Sequence, residues 1–198
     1  MIIGCNYGSG RYIQHARQQA EQYPIEIITR EAEPSGTRGD NWWRWKPELI
    51  LTVMEETEPD TFILYMDAGD IHTEEFFKWL NAYTAASDTL FVTRGYIHQE
   101  WTKGDCFEAM GCLHLLDALS PQLEAGLIGL RNNESNCALV EEWAKWMKDD
   151  QVLIDSQSNY PNHSNFVEHR HDQSILTNLV LRDKYPIHSV LGVIWNGR

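Results

Sequence analysis

TFILYMDAGD, residues 61–70, sets five apolar residues, Phe62 to Met66, directly against a carboxylate, two small residues and a second carboxylate. A short run that is apolar at every position, without polar alternation, is the pattern of a β-strand covered on both faces, as in parallel sheets. In open sheets of that kind, ligands bind beyond the carboxyl ends of the strands. Asp67 therefore stands where a ligand is expected, and Ala68 and Gly69 are small enough for a bulky group to approach the backbone. Asp67 and Asp70 offer hard oxygen donors of the kind Mg²⁺ or Mn²⁺ takes when it shares its sphere with phosphates. Asp and Gly also favour plain polar turns, so this stretch alone leaves both readings open.

The rest of the chain alternates around this strand. Apolar runs predict further strands at residues 1–5, 25–29 and 89–93, within 123–130, and over 187–194. Helical spacing marks residues 11–23, 47–57, 74–83, part of 102–119, 135–148 and 173–181; residues 31–40 and 150–170 read as loops. Strands alternating with helices imply an α/β fold: one Rossmann-like domain over residues 1–198, its central sheet mostly parallel with helices on both faces. The rim rule then aligns Asn6, Asp67 and Arg94 along one edge.

Composition narrows the function. The 198 residues are 42% hydrophobic and 23% charged, enough for a self-sufficient core. A net charge of -13 argues against a nucleic-acid partner, which needs clustered Lys and Arg. No run approaches the roughly 20 apolar residues of a membrane span, and residues 1–20 lack a signal-peptide core. The four cysteines form no C-x-x-C pair and read as reduced thiols, consistent with a cytoplasmic protein.

Two other stretches carry chemistry. In TRGDNWWRWKPELI, residues 37–50, Pro47 suits a helix start, and Lys46 just before it opposes the helix dipole. An anion between Lys46 and the free backbone N–H groups resolves that misfit, and Trp42, Trp43 and Trp45 could stack on a base or sugar or fill the core. In FVEHRHDQSILTNLV, residues 166–180, Asp172 is either a helix N-cap or a general base or sugar-binding carboxylate, with Gln173 beside it. Glu168, His169 and His171 fit no helical H-E-x-x-H zinc spacing. His188 is a candidate third metal ligand or a plain hydrogen-bonding residue.

Together these stretches resemble GT-A glycosyltransferases, the nucleotide-diphospho-sugar transferases. The match is with small bacterial and viral members such as the chlorella virus-encoded domain. The shared order is a nucleotide loop after the first strand, a W-x-W-K-P helix start, an apolar strand ending D-A-G, and a late H-D-Q-S-I-L helix. The resemblance implies transfer of a sugar from a nucleotide-diphosphate donor, commonly UDP-linked, to a glycan or small hydroxyl acceptor. It implies Mn²⁺ or Mg²⁺ at Asp67, with Asp70 and His188 as further ligand candidates. The strict D-x-D pattern is broken, since Gly69 stands in the second position and Asp70 one place later. Asn6, Tyr7, Arg38, Trp45, Lys46, Ala68, Gly69 and Gln173 become donor-side candidates, and Trp101 and Lys103 acceptor-side ones. Asp172 is the first choice for the catalytic carboxylate and Asp105 the second. The rival readings are a sugar-1-phosphate nucleotidyltransferase and a non-catalytic nucleotide-sugar or glycan-binding module.

Overall fold

A computed structural model describes residues 1–189 and 195–196. The chain opens with β1 (Ile2–Ser9), α1 (Tyr12–Gln22), β2 (Glu26–Ala32), the single helical turn α2 (Gly39–Trp42), α3 (Trp45–Glu56) and β3 (Phe62–Met66). Next come β4 (Ile71–His72), α4 (Glu74–Tyr83), β5 (Thr89–Ile97), α5 (Gly104–Ala109) and β6 (Pro121–Arg131). α6 (Glu134–Trp146), α7 (Asp150–Leu153), α8 (His171–Arg182), β7 (Ile187–Ser189) and β8 (Trp195–Asn196) complete the described part.

Six strands form the main sheet in the order β2-β1-β3-β6-β5-β7. β1 pairs in parallel with β2 and β3, and β5 with β7, whereas β6 runs antiparallel to both its neighbours. The expected mostly parallel α/β sheet is therefore present, with β6 as its reversed strand. β4 and β8 make a separate antiparallel pair.

β3 accounts for its own composition. Phe62, Leu64 and Met66 join Phe76, Phe77 and Leu80 of α4 in one core. Ile63 and Tyr65 enter the larger core on the opposite face, with residues of α3, α5, α6 and α8. Alternate side chains of a strand point to opposite faces, so a strand buried on both sides can be apolar throughout. α4 starts where Thr73 caps it, its side chain accepting from the Phe76 N–H at 3.2 Å.

Three expectations have different outcomes. Residues 102–119 are helical in part, as expected, over α5 and a 3₁₀ turn at Leu113–Leu115. The loop expected over 150–170 starts with the helical turn α7, capped by Asp149. The expected last strand is present over Ile187–Ser189, and positions 190–194 of the predicted run lie outside the described residues. Among the described residues, no helix is long and apolar enough to cross a membrane.

Reversal of β6 has a direct consequence for the rim. Glu124 to Gly126, in its N-terminal half, lie at the same edge as the carboxyl ends of β1 and β3, with Met66 opposite Leu127. The Asp67 N–H continues that ladder, donating to the Gly126 carbonyl at 2.8 Å.

Candidate active site

The rim borders a cavity of about 550 Å³. Its wall includes Tyr7, Arg38, Trp45, Lys46, Asp67, Ala68, Gly69, Asp70, Asp172 and Gln173, so ten of the residues singled out in the sequence converge there. Arg94 of the predicted rim also lines it.

The 67–70 turn is held from beneath. Gln19 of α1 donates its amide to the carbonyls of Asp67 (3.0 Å) and Asp70 (2.9 Å). Asn6 donates in turn to the Gln19 side chain at 2.8 Å and to the Ala16 carbonyl at 3.0 Å. Asn6 is 0% exposed and absent from the cavity wall, which corrects its assignment as a nucleotide contact. Its amide NH2 instead supports the loop through α1. Above the loop, the Tyr65 hydroxyl donates to Asp67 Oδ1 at 2.6 Å, and burial followed by the Asp67 charge raises the phenol's pKa well above its ordinary value.

Lys46 sits at the centre, 2% exposed. Its Nζ lies 2.8 Å from Asp172 Oδ2 and 3.6 Å from Asp67 Oδ1, and donates to the Ala125 carbonyl at 2.9 Å. Burial alone would depress the ammonium pKa, and the two carboxylates outweigh it, so the pKa stands above the ordinary lysine value. The anions that reconcile Lys46 with the start of α3 are thus the protein's own carboxylates. Asp172 is the second residue of α8 and not its N-cap, a position held by Arg170. Beside it the Gln173 Oε1 accepts from the Ala125 N–H at 3.2 Å.

Aromatic rings close one side. Trp45 stacks on Tyr7 with ring centroids 3.9 Å apart and planes 14° off parallel, and its Nε1 donates to the Gly39 carbonyl. Before it, Gly39 to Trp43 all have positive φ, from 46° to 68°, making one left-handed turn closed by Trp42 N–H to Arg38 carbonyl and Trp43 N–H to Gly39 carbonyl bonds. Left-handed backbone costs about 1–2 kcal/mol for each residue bearing a Cβ. Only glycine fits at Gly39, where a Cβ would stand 2.3 Å from Trp43 Cδ2. The turn sets Trp42 and Trp43 against His171, with centroids 4.9 and 5.6 Å away.

The residues suit a divalent ion held by two carboxylates. Gly126 has no Cβ, and one built there would meet Asp70 Oδ2 at 2.9 Å and Asp67 Oδ2 at 3.1 Å. Both oxygens thus flank the same gap above β6. Mg²⁺ and Mn²⁺ commonly take one or two carboxylates and complete their sphere with phosphate and water. Among the described residues no group of three or more His, Cys, Asp or Glu could hold a metal by itself. His188 is not beside this pair: it lies on β7, with Nε2 2.8 Å from the Tyr83 hydroxyl.

The remaining candidates are placed elsewhere. Asp105, 3% exposed, accepts the N–H groups of Asn159 (2.9 Å) and Tyr160 (2.6 Å), and these bonds overcome burial to lower its pKa. It clamps a loop and does not line the cavity, so it is corrected as a catalytic candidate. Lys103 donates to the Ile154 carbonyl at 2.6 Å and borders a second cavity of about 500 Å³. Trp101 is covered on one face by the Arg170 guanidinium, 4.5 Å from its ring.

Several wall residues escaped sequence reading: Gly126, Glu124, Tyr65 and Arg170. The zinc idea touched His171, but His169 and His171 instead bond the carbonyls of Val152 and Leu153, each at 2.9 Å. A signal existed for Tyr65, two residues before Asp67 in a strand, but its side chain pointed by periodicity into the core. For Gly126 and Glu124 no local signal existed, because their place depends on the direction of β6.

No protein-family model matches the sequence, and no curated protein matches it. Solved structures do. The chain is similar to the bifunctional glycosyltransferase WbbM in its apo form, at 9% identity and a TM-score of 0.52, over 97% of this chain and 39% of that one. It is also similar to the galactosyltransferase LgtC in complex with donor and acceptor sugar analogues, at 12% identity and a TM-score of 0.48, over 97% of this chain and 74% of that one. A third is a glycosyltransferase involved in glycosylation of the major capsid of PBCV-1, at 12% identity and a TM-score of 0.47. That match covers 75% of this chain and 66% of the other. The likeness to WbbM is one of fold: the chain has a GT-A-like architecture.

Proposed function

We propose that the protein is a glycosyltransferase that moves a sugar from a nucleotide-diphosphate donor, in the first instance a UDP-sugar, to a hydroxyl of a glycan or small acceptor. The observation that carries this reading is the buried Lys46 ammonium between Asp172 and Asp67, beside the Gly126 gap at the strand ends. Glycosyl transfer leaves negative charge on the departing diphosphate, and a fixed cation in a shielded cavity stabilises it without reorganisation. Lys46 supplies that cation, and the Tyr65 hydroxyl keeps the Asp67 carboxylate aimed at the gap. Asp67 and Asp70 would hold Mn²⁺ or Mg²⁺, which when bound supplies Lewis-acid stabilisation of the leaving group. The stacked Tyr7 and Trp45 form a flat apolar wall suited to a base or sugar ring. Asp172, 2.8 Å from Lys46 and with its pKa raised by burial, is the carboxylate that takes the acceptor proton in an inverting reaction or supports the sugar in a retaining one.

The test is incubation with a panel of nucleotide sugars and Mn²⁺, scoring free nucleoside diphosphate with and without acceptor. Asp67→Asn should lower release by about 100-fold or more, the scale of losing an electrostatic contribution to the transition state. Equal release by variant and wild type would remove Asp67 from the chemistry. Nucleotide-sugar binding with no turnover in either would favour a binding module.

A further inference from the structure

His171 is buried in the cavity wall, 1% exposed, and has a left-handed backbone with φ of 50°. Its Nδ1 lies 2.9 Å from the Leu153 carbonyl. A carbonyl only accepts, so Nδ1 carries the proton and the neutral ring keeps a lone pair on Nε2. Burial, which lowers the imidazole pKa, agrees with a neutral ring. Nε2 is shielded from solvent and has no hydrogen-bond partner among the described residues. Buried polar atoms are nearly always satisfied, so an orphan acceptor on a residue of the cavity wall calls for a partner.

The orphan atom accepts only. It cannot bond a phosphate oxygen, and a hydroxyl is the complementary donor. We infer that His171 Nε2 accepts a hydrogen bond from a hydroxyl of the transferred sugar, which makes His171 a donor-sugar specificity residue. This deepens the glycosyltransferase reading and rests on it. Trp42 and Trp43 now pack on the imidazole, and both ride on the strained turn from Gly39 to Trp43. Trp43 lines the same cavity wall as His171. The indole faces then offer the apolar surface on which the C–H face of a pyranose stacks.

His171→Asn separates the two ring nitrogens, because an asparagine amide keeps the donor to Leu153 and removes the Nε2 acceptor. The measurement is calorimetric affinity of wild type and variant for UDP-glucose, UDP-galactose, GDP-mannose, UDP and GDP, with Mn²⁺ present. In the variant the Kd of the preferred nucleotide sugar should rise about tenfold, the scale of one lost buried hydrogen bond, with the free diphosphate unchanged. Monodeoxy forms of the preferred donor test wild type directly: one of them should lose the same factor, and the variant should not distinguish it from the parent. Unchanged sugar-nucleotide affinity, equal weakening of UDP, or indifference of wild type to every monodeoxy donor would overturn the inference while leaving the functional reading intact. If no nucleotide or nucleotide sugar binds, both fall together.

Discussion

Lys46 shows how one residue couples stability to chemistry. A buried ammonium is costly unless paired, and here Asp172, Asp67 and the Ala125 carbonyl surround it. Removing one partner of such a set strands the others, which typically costs about 3–5 kcal/mol. Lys46→Met should therefore lose about that much in urea unfolding and also lose nucleoside diphosphate release. A variant as stable as wild type would mean that Asp172 and Asp67 are satisfied without the lysine. The same residue explains why two acids, one on β3's carboxyl end and one on α8, can share a small volume.

At the level of elements, the left-handed turn from Gly39 to Trp43 is the segment whose conformation its sequence opposes most. Its cost is backbone cost, and Asn41, which is exposed, reads it with little packing change. Asn41→Gly should be more stable than Asn41→Ala by about 1 kcal/mol, since only the alanine keeps a Cβ at φ 68°. Thermal unfolding of the pair decides it, and equal melting temperatures would refute the left-handed backbone. β6 is the other decisive element. Its reversal brings the glycine that makes the ion gap and the carbonyl that holds Lys46, neither of which a parallel strand would present at this rim.

For the whole molecule, buried imidazoles set the response to acid. His98 and His169 have pKa values below the usual 6.5, burial being the larger cause for each. A depressed pKa favours the neutral form in the fold, so its stabilisation is complete above about pH 6.5 and is lost as pH falls below it. The acidic surface works the other way, since the net charge of -13 shrinks as carboxylates protonate, mostly below about pH 5. The melting temperature should therefore fall between pH 7 and 5, and His169→Gln should flatten that slope. A rising melting temperature over this interval would show that surface repulsion outweighs the histidines.

Much of the architecture was legible in residue order. β3 and α4 have the bounds their patterns predict, Phe62–Met66 and Glu74–Tyr83, because periodicity records which faces are covered. Local patterns also singled out Asp67, Lys46 and Asp172, which meet in one cavity although 21 and 126 residues separate Lys46 from the other two. Asn6 and Asp105 were misplaced because the same polar side chain serves a ligand or a distant backbone, and only the fold decides which: Asn6 meets Gln19, and Asp105 meets Tyr160. What the sequence determined by itself was the layering, since burial patterns are local. The direction of β6, the left-handed turn and the orphan nitrogen of His171 were decided by tertiary structure, because each depends on contacts between segments far apart in the chain.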